Sequence, residues 1–157
     1  MSLTLELESL DALNGIAAWA ESLRVPVQDA MAIRLSDIVL QNFGDDGIDR
    51  PIEWRQLGPG YALRYHEGDR TPREMLTGDL RSSIDVELGN PEQSKVFSHA
   101  DYSGDQQWGS VWHVTAIPPR PFFPLLGDES QSTLTPYSES EVRAAAEQAI
   151  ADALASL

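Results

Sequence analysis

Residues 80–91 read Leu80-Arg81-Ser82-Ser83-Ile84-Asp85-Val86-Glu87-Leu88-Gly89-Asn90-Pro91. Ile84, Val86 and Leu88 alternate with Asp85 and Glu87, so one side of an extended chain is apolar and the other charged. That is the period of a half-buried strand. Gly89, Asn90 and Pro91 then supply turn chemistry, which calls for a hairpin partner, and 95–99 is the next stretch able to provide one. Beyond a polar segment, 108–117 carries Val111, Trp112 and Val114 in a second β-rich run that stops at Pro118 and Pro119. The pattern predicts a small antiparallel meander in a sheet of three to four strands.

On the N-terminal side, Leu10, Leu13, Ile16, Ala17, Ala20 and Leu23 recur at helical spacing, and Val27, Met31, Leu35 and Ile38 form a second stripe ending near Phe43 and Gly44. Pro26 lies between them, so the spacing predicts two helices or one helix kinked at Val25 and Pro26. From Gly44 to Gly60 the text is rich in Gly, Asp and Pro and reads as a connection whose Trp54 and Leu57 return to the core. Tyr61, Leu63 and Tyr65 permit a short strand. Thr71, Pro72 and Glu74 fit a helix start running through Met75 and Leu76, with Gly78 ending or restarting it. From Ser138 an alanine-rich stretch places Val142, Ala146, Ala149, Ile150, Ala153 and Leu154 on one helical face. The expected class is α+β, with N-terminal helices and a C-terminal helix flanking the sheet. The chain reads as a single domain over residues 1–157, with a helical N-terminal region (residues 1–43), a loop and sheet region (residues 44–137) and the last helix (residues 138–157).

The chain has 157 residues, 25 Asp and Glu against 11 Lys and Arg, and a formal net charge of -14. Such a charge opposes a nonspecific grip on phosphate backbones or anionic lipid. There is no cysteine, hence neither disulfide nor thiolate metal site. The acidic start and the lack of a membrane-length apolar run point to synthesis in the cytoplasm without a secretory leader. No Gly-x-Ser-x-Gly elbow, phosphate-binding Gly-rich loop or His-Glu-x-x-His motif occurs. His66 with Glu67 and Asp69, or His99 with Asp101 and Asp105, are the only candidate metal groups, and three histidines make a poor supply. Neither a metal nor another cofactor is expected, and no catalytic residue is assigned.

Three blocks, taken in order, resemble the phage virion morphogenesis family of Mu-like tail-completion proteins. The first is Phe43-Gly44 followed by Trp54-Arg55-Gln56-Leu57. The second, Met75-Leu76-Thr77-Gly78-Asp79-Leu80-Arg81-Ser82-Ser83-Ile84, is close to the family's central pattern of Leu, Thr-Gly, x-Leu and Ser-Ile. The third, Ile117-Pro118-Pro119-Arg120-Pro121-Phe122-Phe123, is similar to the family's arginine and phenylalanine between prolines, with a C-terminal helix at a fitting distance. The sequence departs from the family at 98–109, Ser98-His99-Ala100-Asp101-Tyr102-Ser103-Gly104-Asp105-Gln106-Gln107-Trp108-Gly109, where a Tyr-Ala-x-x-His-Gln-x-Gly segment is usual.

The resemblance implies a structural, non-enzymatic subunit that completes the head-proximal end of a tail as a hexameric ring. It would cap the tail tube, join the neck, or do both. Its partners would be copies of itself, the tail tube and neck or connector proteins. It would occupy the virion after assembly in the host cytoplasm, away from membranes. DNA would pass the ring without specific binding. The alternative is an acidic assembly adaptor or chaperone that does not stay in the particle.

Interface candidates are Arg120, Phe122, Phe123, Arg81, Trp108 and Tyr102. Arg120, held extended by Pro119 and Pro121, would pair with a carboxylate of its own C-terminal helix or of a neighbouring subunit. Phe122 and Phe123 read first as core and rim, with one free to face a partner. The segment 99–108, anchored by Tyr102 and Trp108, reads as a surface loop with its aromatics buried, or as a loop that projects from the sheet to contact the tube or line a lumen. Thr77, Gly78, Leu80, Ile84, Pro119 and Pro121 read as the structural motif, a cap, a turn and core anchors, with Arg81 exposed.

Overall fold

The computed structural model describes residues 6–44, 47–54, 76–110 and 118–156, with the backbone alone described at 6–13, 76 and 77. Expectations at 55–75 and 111–117, including Leu57, Tyr61, Leu63, Tyr65, the helix start at Thr71 and the candidate ligand His66, lie outside the described residues. So do the strand residues Val111, Trp112 and Val114.

The architecture is α+β. Helix α1 spans Glu6–Gln41, unbroken for 36 residues with Pro26 inside it. Of the two arrangements the sequence permits, the single helix is the one formed. Proline removes one rung of the helical ladder, and tertiary contacts close on either side of it. Arg24 donates to the carbonyl oxygen of Pro91. The Asp29 carboxylate accepts from Ser94 Oγ at 2.6 Å and from the Gly89 amide at 2.9 Å. Pro91, Ser94 and Gly89 all belong to the turn of the first hairpin, so the hairpin splints the helix across its weakest point.

That hairpin pairs β1 (Ile84–Glu87) with β2 (Lys95–Ser98), Ile84 opposite Ser98 and Glu87 opposite Lys95. Ile84 and Val86 are half-buried while Asp85 and Glu87 are exposed, as their alternation requires. Leu88 falls outside the strand and is largely exposed. Gly89 takes φ 74°, a left-handed value that favours glycine, and starts the turn. A second hairpin, β3 (Leu125–Gly127) with β4 (Ser132–Leu134), stands apart from the first. The described strands form two two-stranded ribbons, and most of the third strand expected at 108–117 lies outside the described residues. The second ribbon turns at Gly127, whose φ is 105° and where an added Cβ would lie 2.1 Å from the Gln131 carbonyl oxygen. Asp128 braces this turn by accepting from the amides of Ser130 and Gln131.

A π-helical turn at Leu76–Leu80 carries Thr77 and Gly78 and runs on through Arg81 and Ser82. Gly78 sits inside this segment, and the turn expected before it at 71–75 lies outside the described residues. Residues 99–108 are corrected: Ser103–Trp108 form a short helix, α2, with Gln106 and Gln107 buried. It is no irregular loop, and Trp108 is the last residue of this helix.

The last helix, α3, spans Pro136–Ala155 and begins two residues earlier than its alanine-rich pattern suggests. Thr135 is its N-cap, accepting from the Ser138 amide, and Pro136 occupies the first turn where its missing N–H is harmless. It packs along α1, tied by Arg34 to Glu141 with Nε 3.0 Å from the carboxylate. Among the described residues, no helix is long and apolar enough to cross a membrane.

Hydrogen bonds from Ser94 first, then Gly89, hold the Asp29 carboxyl below its ordinary value of 3.8. The folded state thus favours the ionised form, and this support is complete above that value and lost as the pH falls through the lowered one. Asp29→Asn is expected to flatten the acid side of the stability curve and to speed amide exchange at Gly89 and in β1. Hydrogen exchange with mass spectrometry at neutral and acid pH reads both.

Candidate functional site

The three sequence blocks converge on one core. Val39, Phe43, Leu80 and Phe122 form its buried cluster, with Leu35, Trp54, Ile84, Ala100 and Phe123 packed against it. Phe43 meets Trp54 edge-on at 5.9 Å and Phe122 at 5.4 Å, and Phe122 touches Phe123 at 5.0 Å. Helix α1 supplies Val39 and delivers Phe43 just beyond its end, the π-turn supplies Leu80, and the segment after 117 supplies the phenylalanines.

Polar side chains fasten these apolar elements to one another. Asn42 is fully buried at the end of α1. Its Nδ2 donates to the carbonyls of Asp49 and Phe122, each at 3.0 Å. Its Oδ1 accepts the amides of Ile48 at 3.1 Å and Asp49 at 2.8 Å. The amide group thereby uses both donors and both lone pairs. Gln107 does the same for the next stretch: Oε1 accepts the amides of Phe122 and Phe123, both at 3.0 Å, and Nε2 returns a bond to the Phe123 carbonyl at 3.1 Å. Trp54 Nε1 donates to the Pro121 carbonyl at 2.9 Å. Asp49 accepts from the hydroxyls of Thr135 and Ser138 and sits at the start of α3, where an anion complements the helix dipole. Arg50 lies 4.3 Å over the Trp54 ring and donates to the Asn42 carbonyl at 2.7 Å.

The sequence candidates divide by this geometry. Arg120 is buried, its amide bonded to the Gln106 carbonyl at 2.6 Å, and Phe122 is buried beside it. Both are interior to the chain and present no surface to a partner. Phe123 and Trp108 are half-buried, Pro121 is buried and Pro119 is exposed. Leu80 and Ile84 are the core anchors expected of them. Arg81 and Tyr102 are the two interface candidates on the surface. Burial pushes the Tyr102 phenol up from its usual value, with the charge of Asp79 adding to the effect.

Arg81 opens onto a shallow cleft of about 350 Å³ with Asp37, Leu40, Gln41 and Gly44. His99 pairs with Asp85 at 3.1 Å and not with Asp101 or Asp105, and this contact lowers the Asp85 pKa. Among the described residues no group of three histidine or acidic side chains gathers.

Asn42, Asp49 and Gln107 escaped the sequence reading. Asn42 had a usable signal, standing just after the last periodic residue of α1 and ahead of Phe43-Gly44, where helices commonly stop at Asn or Gly. Thr135-Pro136 likewise marks a helix start. Gln107 has no comparable signature. No family model matches the chain, and neither a curated protein nor a solved structure matches it.

Asn42→Ala leaves two amides and two carbonyls without their partner, the Phe122 carbonyl fully buried and the others partly so. It is expected to cost roughly 3 kcal/mol, lowering the Tm by about 6–12 °C. Arg81→Ala, at an exposed position, should stay within about 0.5 kcal/mol of the parent. Thermal and urea unfolding of the two variants would check the contrast.

Proposed function

We propose that this protein is a structural subunit of a phage or prophage tail, completing its head-proximal end by assembling into a ring of copies. The observation that carries the reading is the convergence of the three family-like blocks on one core. Phe43 and Trp54, Leu80 and Ile84, and Phe122 and Phe123 are far apart in sequence and adjacent in space. Apolar residues of any single domain gather in one core, so the support this gives is that the three blocks take part in building one fold. The likeness therefore concerns the way a fold is built, which suits a protein whose work is to present surfaces.

Two further features agree with a ring. The described strands make short two-stranded ribbons, and pairing between subunits would cover their open edges. A net charge of -14 would let DNA pass a lumen without adhering. The role includes no bond made or broken. Arg81 and Tyr102, the exposed candidates, are the residues proposed to meet a neighbouring subunit or the tube end.

Negative-stain microscopy of the chain incubated with tail tubes is expected to show rings on one tube end. Mass spectrometry of purified particles should find a few copies in each. A chain that acts during assembly but is missing from finished particles would favour the adaptor reading. Tubes that stay bare, with particles complete in its absence, would overturn both.

A further inference from the structure

Between α1, the first ribbon, β4 and α3 lies a hollow of about 260 Å³. Ala32, Leu35, Val96, Leu134 and Val142 give it apolar walls, and the exposed Gln93 stands at its rim. One lining side chain is at odds with these walls. Oε1 of Gln28 is enclosed and has no hydrogen-bond partner among the described residues. An enclosed amide left unpaired costs its desolvation. Turning the amide over would leave its NH2 in the same want, so the group that answers either orientation is a hydroxyl, which both donates and accepts. A lone water is poorly held in such a place. It wants about three polar partners, and the nearby Ser94 hydroxyl has given its proton to Asp29 at 2.6 Å.

Size narrows the occupant. Sites for small molecules usually exceed roughly 300 Å³, whereas roughly 150 Å³ already holds a benzene ring. The hollow therefore suits one hydroxylated ring, the scale of a tyrosine anchor in a protein contact. Tyr102 offers such a ring. It is 39 % exposed, and its hydroxyl makes no hydrogen bond among the described residues. Tyr102 feels the charge of Asp79, two residues from Arg81, whose cleft lies against 37–44 of α1. The hollow lies against 28–35, roughly 13 Å away along the helix. Knob and hole thus belong to different patches, and unlike patches that fit each other join copies head to tail.

We propose that Tyr102 of one copy seats in the Gln28 hollow of the next, its hydroxyl on the Gln28 amide. The inference deepens the ring reading and rests on it for the choice of a second copy as occupant. The chain has no cysteine, so a thiol placed at exposed Gln93 or Asp101 reports on the contact alone. Differently tagged Gln93→Cys and Asp101→Cys proteins are mixed, concentrated and with tail tubes, in salt that screens the repulsion between acidic copies, and oxidised. The expected disulfide joins one protein of each kind, well above the same-kind products. Tyr102→Ala in the Asp101→Cys protein should lower its yield about tenfold, and in the Gln93→Cys protein not at all. Tyr102→Phe in the former, or Gln28→Leu in the latter, should each lower it about fivefold. The two together should regain most of the loss, because both polar partners are then gone. No excess of the mixed product, or equal losses whichever protein carries Tyr102→Ala, overturns the proposal. Mixed product with bare tubes keeps the knob and drops the tail role. Rings on tubes without the mixed product drop the knob and keep the tail role.

Discussion

The fold depends on the carboxamide of Asn42, a polar group placed where the core would otherwise be apolar. A buried amide without partners would destabilise the chain by its desolvation alone. Here every one of its hydrogen-bonding positions is taken by the main chain, from Ile48 and Asp49 on one side and Phe122 on the other. It therefore does what an apolar residue could not. It stops α1, fixes the path of the following loop, and holds a segment 80 residues away at the angle that drops Phe122 against Phe43. Gln107 repeats the device from the short helix α2, so the segment around Phe122 is gripped from two sides by side chains that read backbone and not sequence.

This division of labour explains which elements were legible beforehand. Ile84 and Val86 alternating with Asp85 and Glu87, and the alanine-rich stretch after Ser138, bury one face of a regular element, and periodicity records that directly. Ser103 to Trp108 has no such period. Its buried members are two glutamines, so nothing apolar marks its inward face. The second ribbon was hidden for a related reason. Leu125, Leu126 and Leu134 are too few to alternate, and its turn is specified by Gly127 and by Asp128 side-chain bonds. Arg120 and Phe122 illustrate the remaining difficulty. Proline on either side of Arg120 announces an extended segment, but which way that segment faces is decided by Asn42 and Gln107, distant in sequence.

The proposed kinship with tail-completion proteins and the packing concern the same residues. Had the family-like blocks lain on separate surfaces, their joint occurrence would have needed a functional cause at each place. Their meeting in one cluster gives a single physical cause, the requirement that Phe43, Leu80 and Phe122 fill one interior. The exposed candidates Arg81 and Tyr102 then carry a different kind of information, because their exposure leaves them free of that packing requirement.

The splint around Pro26 has a mechanical meaning. A helix missing one rung bends most readily at that turn, and the first hairpin grips it immediately before and after. Force applied to the outer end of α1 is thus not dissipated as local bending. It reaches β1 and β2 as a torque, so the long helix and the ribbon tilt together as a lever about a common fulcrum.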